Sequence, residues 1–320
     1  NDMDCNDNIS AVNPATAEVC NLIDDNCDGL VDEGTAVTPS VTISTDAPSN
    51  TICEMNNLFF GWENLKWFVR EIVKMYSAKP SYFSKKRIED FVNKFEIDMD
   101  DYVQNDVSKF KHFNDFFYRK INPLKRPLGH GVVSPADGKT LAFETISDTS
   151  QFFVKGKGFY LKDFLRSDEL SKKYHEGAML IIRLAPTDYH RYHFPAQGIA
   201  SETSTINGHY FSVSPIALKK SLAIFCENKR TISTLKTMDC GDILISEVGA
   251  TMVGSILQTY SSESNVSAGQ EKGYFAFGGS TVVLLFEKGK IKFSEDLTKN
   301  TLKGIETQVL MGQTIAKSIN

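Results

Sequence analysis

The chain has 320 residues, of which 41% are apolar and 23% charged, with a formal net charge of −5. This is the composition of a soluble globular protein with one large domain and an appendage, or with two domains. The negative charge gives no reason to expect a nucleic-acid partner, and no apolar run is long enough to cross a membrane as a helix.

The sequence starts at Asn1 without a visible signal peptide, so the natural N-terminus is expected upstream. Cys5, Cys20, Cys27 and Cys53 crowd the first 53 residues, and only Cys226 and Cys240 follow. The front end therefore reads as extracellular and disulfide-capable, the rest as cytosolic. Residues 1–35 are acidic. Asp24, Asn26, Asp28 and Asp32 place oxygen donors around Gly29, as a hard cation such as Ca²⁺ requires. The twelfth position of this loop is Thr35 rather than Glu, which argues against an EF-hand. The segment resembles the Asp/Cys-rich metal-binding repeats of secreted bacterial surface proteins. A disordered acidic arm accounts for it equally well. Residues 36–56, rich in Thr, Ser, Pro and Val, read as a linker or a truncated extracellular segment.

Composition changes at residue 57. Leu58 to Tyr76 holds Trp62 and Trp67, with Lys66, Arg70 and Lys74 on one helical face. Such a helix suits an anionic membrane interface; an amphipathic helix on the protein's own core shows the same pattern. Residues 84–103 and 110–117 read as further helices. From Val132 onward the pattern is of short strands. Ser134-Pro135-Ala136-Asp137-Gly138 is a turn. Ala178 to Leu184 is a strand running into a proline-bracketed loop or short turn of helix, 185–195, that carries His190 and His193. Residues 241–246 and 252–258 read as strands separated by Val248-Gly249-Ala250. Ile291 to Phe293 is expected to pair with Val282 to Phe286 through the turn at 288–290. The fold class expected is α+β: a helical N-terminal part, then a mainly antiparallel β core.

Gly273 to Phe286 is the stretch with unusual chemistry. Aromatics lead into Gly278-Gly279, and Ser280 opens an apolar run. One reading is a hairpin or bulge with Gly-Gly-Ser at the turn. The other is self-cleavage, in which the Ser280 hydroxyl attacks the Gly279 carbonyl, because glycine permits close approach to a backbone carbonyl. Serine chemistry needs a base and a group that orients the base. A histidine and a carboxylate can supply them, in any chain order. His190 and His193 also suit a metal, but no Cys cluster or HExxH pattern accompanies them.

Five segments together are specific. They are Phe113-Asn114-Asp115-Phe116-Phe117-Tyr118-Arg119, Ser134 to Gly138, Pro186 to His193, Val248 to Ile256, and Gly278-Gly279-Ser280-Thr281. On these, residues 57–320 resemble phosphatidylserine decarboxylase. The resemblance implies a proenzyme cut between Gly279 and Ser280 into a β chain ending at Gly279 and an α chain starting at residue 280, both contributing to one β core. Ser280 would become a pyruvoyl group, the electron sink for decarboxylation of phosphatidylserine to phosphatidylethanolamine. His193 would be the base for cleavage, Asp137 its orienting group, and His190 a helper in decarboxylation. It further implies a homo-oligomer, peripheral on the cytoplasmic face of the cell membrane. Residues 1–56 lie outside the resemblance; a genuine fusion and a gene-model junction both account for them. Two rival functions remain on the residues alone: a serine hydrolase using Asp137, His193 and Ser280 without cleavage, and a secreted Ca²⁺-dependent surface protein.

Overall fold

The fold is taken from a computed structural model, which describes residues 82–148, 159–213, 223–250, 255–276 and 280–319. The chain divides into two compact units, Asn1–Ser77 and Ala78–Asn320, and every described residue belongs to the second. The acidic segment with Asp24, Asn26, Asp28 and Asp32, the helix expected at 58–76, and Gly279 lie outside the described residues.

Helix α1 spans Tyr82–Lys94. It ends well before residue 103, where the periodicity had placed its end. Glu96 takes a left-handed φ of 51°, and Asp98 starts a separate 3-10 turn by accepting the Asp100 N–H at 3.0 Å. Helix α2 is Phe113–Phe117, capped by His112 Nδ1, which accepts the Asp115 N–H at 3.0 Å. It buries Phe113, Phe116 and Phe117, and Phe91 of α1 meets Phe113 edge-on at 5.2 Å.

The strands are β1 Val132–Val133, β2 Gly138–Phe143, β3 Ala178–Leu184, β4 Arg191–His193, β5 Gly198–Ala200, β6 Ser204–Ile206, β7 Arg230–Lys236, β8 Asp242–Gly249, β9 Ser255–Gln258, β10 Ser264–Val266, β11 Glu271–Ala276, β12 Ser280–Phe286, β13 Ile291–Phe293, β14 Thr307–Val309 and β15 Thr314–Ser318. Among the described residues the largest sheet runs β10-β5-β7-β8-β12-β3-β2-β14, with β6 also on β7. Two three-stranded sheets, β4-β11-β9 and β1-β15-β13, complete the core. All described pairings are antiparallel apart from one isolated bridge, which confirms the α+β class.

Strand β12 sits at the middle. All seven of its residues pair with β3 on one side and β8 on the other. Alternate side chains face opposite ways along a strand. Val282, Leu284 and Phe286 enter one apolar cluster, and Val283 and Leu285 enter another. Both faces are thus covered, which explains an unbroken apolar run in place of alternation.

Three expectations are corrected. Ile291–Phe293 does not pair with Val282–Phe286: both edges of β12 are taken, and β13 pairs with β15 instead. Val248 and Gly249 continue β8 rather than interrupting it, because they pair with Thr281 and Ser280. Residues 191–193 are not loop but strand β4, held to β11.

Candidate active site

Ser280 is the first residue of β12, opposite Leu184 of β3 and Gly249 of β8. The strand before it, β11, belongs to a different sheet. β11 and β12 therefore do not pair as a hairpin. Ser280 is fully buried, and its Oγ has no hydrogen-bond partner among the described residues. By alternation it shares the face of Val282 and Leu284, in the cluster that also holds Ala136, Tyr192, Phe194 and Phe275.

Asp137 lies at the same end of the sheet. Lys139 pairs with Arg183, one residue before Leu184. Gly138 makes this approach possible, since a Cβ there would stand 2.7 Å from the Arg183 carbonyl. The Asp137 carboxylate accepts Arg126 Nη2 at 2.7 Å and the Met311 N–H at 2.7 Å. Burial works against the Arg126 charge, but Asp137 and Asp101 outweigh it and hold the guanidinium above its usual pKa.

His193 ends β4, and its N–H donates to the Pro135 carbonyl at 2.8 Å, next to the Asp137 turn. Its Nδ1 lies 2.8 Å from the Gly269 carbonyl and its Nε2 lies 3.0 Å from the Tyr189 hydroxyl. A carbonyl only accepts, so Nδ1 carries the proton and Nε2 the lone pair, to which Tyr189 donates. Gly269 presents its carbonyl from a left-handed turn, φ 75°. Burial lowers the His193 pKa; the Gly269 carbonyl, Glu271 and Asp137 act in the opposite direction. The ring is thus oriented by Gly269 and Tyr189. Asp137 acts on it through its charge, and no hydrogen bond joins the two.

His190 is fully buried, with Nδ1 2.9 Å from the Asp188 carbonyl. Its ring lies 3.9 Å from that of Phe117. Helix α2 and the histidine segment are locked together elsewhere as well. Arg119 stacks on Tyr102 at 4.1 Å and donates to the Thr187 carbonyl at 3.2 Å, and Arg191 donates to the Tyr118 carbonyl at 2.7 Å. The Phe113–Arg119 segment therefore serves to support the histidines. Asp188 accepts the Ala185 N–H at 2.7 Å. Burial, with help from Asp137, pushes its carboxyl up to about 6 despite that bond.

A cavity of about 470 Å³ opens onto His193 and Tyr189, with Lys120, Arg126, Glu271 and Met311 also in its wall. Ser280 is not among the lining residues.

Tyr189, Arg126, Gly269 and Met311 were not singled out from sequence. Tyr189 carried a faint signal, four residues before His193 in one motif. Arg126 and the two backbone groups carried none, because only folding brings them to the site.

A family model for phosphatidylserine decarboxylase matches residues 113–317, and one for a metal-binding motif matches residues 4–33. A phosphatidylserine decarboxylase proenzyme of Fusobacterium nucleatum is 46% identical over 257 residues, 79% of this chain and 83% of the relative. One from Clostridium tetani is 48% identical over 240 residues, 74% of this chain and 80% of the relative. One from Chlamydia caviae is 46% identical with the same coverage.

Proposed function

Because the chain belongs to the phosphatidylserine decarboxylase family, we propose that it converts phosphatidylserine to phosphatidylethanolamine and CO₂ on a pyruvoyl group made from its own Ser280. The observation that carries this reading is the state of Ser280: a buried hydroxyl without a hydrogen-bond partner among the described residues. Buried hydroxyls are normally satisfied, and one that is not fits a group whose partner is its own preceding carbonyl.

In this reading Ser280 Oγ attacks the Gly279 carbonyl carbon. The peptide C–N bond breaks, leaving an ester and a free amine at residue 280. Elimination releases Gly279 as a carboxylate, and hydrolysis then replaces the amine by a ketone with loss of ammonia. His193 Nε2 is the base for the Ser280 proton. The Asp137 charge, held in place by Arg126 and the Met311 amide, favours the imidazolium so formed. The pyruvoyl ketone supplies a carbonyl that holds the substrate amine and accepts electrons as CO₂ leaves. His190 moves the proton that replaces CO₂.

We place the enzyme as a homo-oligomer on the cytoplasmic face of an anionic membrane, with the 58–76 segment as one contact. Among the described residues no helix is long and apolar enough to cross a membrane. For residues 4–33 the motif match supports a metal site. Asp24, Asn26, Asp28 and Asp32 are the donors we assign to Ca²⁺, apart from the decarboxylation.

Intact mass and turnover test this together. Wild type should split at Gly279–Ser280, its α chain refractory to Edman sequencing, and chelation should change neither cleavage nor turnover. Ser280→Ala should stay whole and inactive. His190→Ala should split but lose turnover steeply. An uncut wild type that hydrolyses esters would replace this reading with the serine hydrolase.

A further inference from the structure

We propose that the mouth of the His193 cavity docks on the lipid bilayer through an apolar rim formed by Val103, Leu124, Leu128 and Leu310. This rests on the decarboxylase reading and adds the surface through which that site meets its substrate.

The four side chains are 65%, 89%, 52% and 42% exposed. Val103 and Leu128 line the cavity itself. Leu124 follows the lining residue Pro123, and Leu310 precedes the lining residue Met311. The rim is built on ordered backbone. The Val103 N–H donates to the Lys120 carbonyl at 2.9 Å. The Leu124 N–H is held by Asn122 Oδ1 at 3.1 Å at the start of a 3-10 turn. One exposed leucine needs no explanation. Two of these residues line the opening and two adjoin lining residues in sequence; exposed apolar side chains clustered in this way mark an interaction site.

The charges in the wall fit an anionic lipid headgroup. Arg126 and Lys125 together are balanced by Asp137 and Asp101, and Glu271 by Arg191. Lys120 has no such partner among the described residues, so the wall carries an uncompensated cation. The 3-10 turn Met99–Asp101 brings Asp100 and Asp101 close in sequence to Val103. Apolar insertion, rather than surface charge, is therefore the main attraction. A cavity of about 470 Å³ is of ligand size. Acyl chains drawn into water would lose their apolar surroundings at every methylene. A headgroup entering the cavity while its chains stay in the bilayer avoids that loss, and requires the mouth to lie on the membrane.

The test uses the full-length protein with Leu124→Asn/Leu310→Asn, since neither residue lines the cavity. Turnover is measured on vesicles of equimolar phosphatidylcholine and phosphatidylserine, and on short-chain phosphatidylserine dispersed as monomers. Met238→Asn is the control: Met238 is 99% exposed between β7 and β8, at the opposite end of the sheet from Ser280. The double variant should lose roughly tenfold or more on vesicles, with self-cleavage and short-chain turnover unchanged, and the control should lose neither. Full vesicle turnover by the double variant, or equal loss on both substrates, overturns the docking surface while leaving the decarboxylase reading intact. A change in oligomeric state without loss on vesicles would make the rim a subunit interface and also overturn it. If wild type decarboxylates neither substrate, the function reading fails and the docking proposal falls with it.

Discussion

His193 can act as a base only through Nε2, because the Gly269 carbonyl fixes the proton on Nδ1. In the structure the Tyr189 hydroxyl donates to that lone pair. Ser280 can pass its proton to Nε2 only if Tyr189 turns away or relays it. A donor on the lone pair favours the neutral ring and so lowers its pKa. Tyr189→Phe removes the donor, which raises the His193 pKa, in the same direction as the charges of Glu271 and Asp137 and opposite to that of Arg191. More of the base is then protonated at a given pH. The acid limb of the self-cleavage rate is expected to move to higher pH, readable from time courses on gels across a pH series. An unmoved limb would mean that Tyr189 only fills space.

At the scale of elements, β11 leads directly into residues 277–279 and is tied to the main sheet by a buried ion pair. Lys272 Nζ contacts Glu247 Oε1 at 2.8 Å, with both side chains fully buried. Gln258 Oε1 is 2.9 Å from the same ammonium, and Thr231 donates to the Glu247 carboxylate. Burial lowers the Lys272 pKa, and Glu247 opposes the shift. Breaking such a pair from one side costs about 3–5 kcal/mol, because it strands the other charge in the interior. Lys272→Met should lower the urea midpoint by a corresponding amount. Lys272→Met/Glu247→Leu should recover part of the loss, since no charge is left unpaired. If the double variant is as unstable as the sum of the single ones, the pair is not coupled.

At the scale of the whole molecule, cleavage does not imply separation. Strand β12 would belong to the α chain, and its neighbours β3 and β8 to the β chain. Every side chain of β12 is buried. Pulling the α chain out would expose that apolar surface and unpair both edges of the strand. β13 and β15 pair with each other, but β15 also pairs with β1, which lies in the β chain. The two products should therefore co-elute as one species in native size exclusion and separate only in denaturant. Dissociation under native conditions would show that the shared sheet does not survive the cut.

The sequence alone determined the family. Ser280 after two glycines, the two histidines, Asp137 and the five motifs are local patterns, and they were sufficient to reach the family. Strands β3 and β12 were legible because each holds five consecutive apolar residues, 178–182 and 282–286. Their partners were not. β12 has two apolar faces and two free edges in sequence terms, and its neighbours β3 and β8 come from distant parts of the chain. Nearness in sequence pointed to Ile291–Phe293, whereas the packing of both faces decided for β3 and β8. The same limit holds within the site. Types of side chain can be read from a sequence, but hydrogen-bond partners depend on where the backbone goes. Only the tertiary structure could show that Arg126 and the Met311 amide hold Asp137, and that Gly269 and Tyr189 set the tautomer of His193.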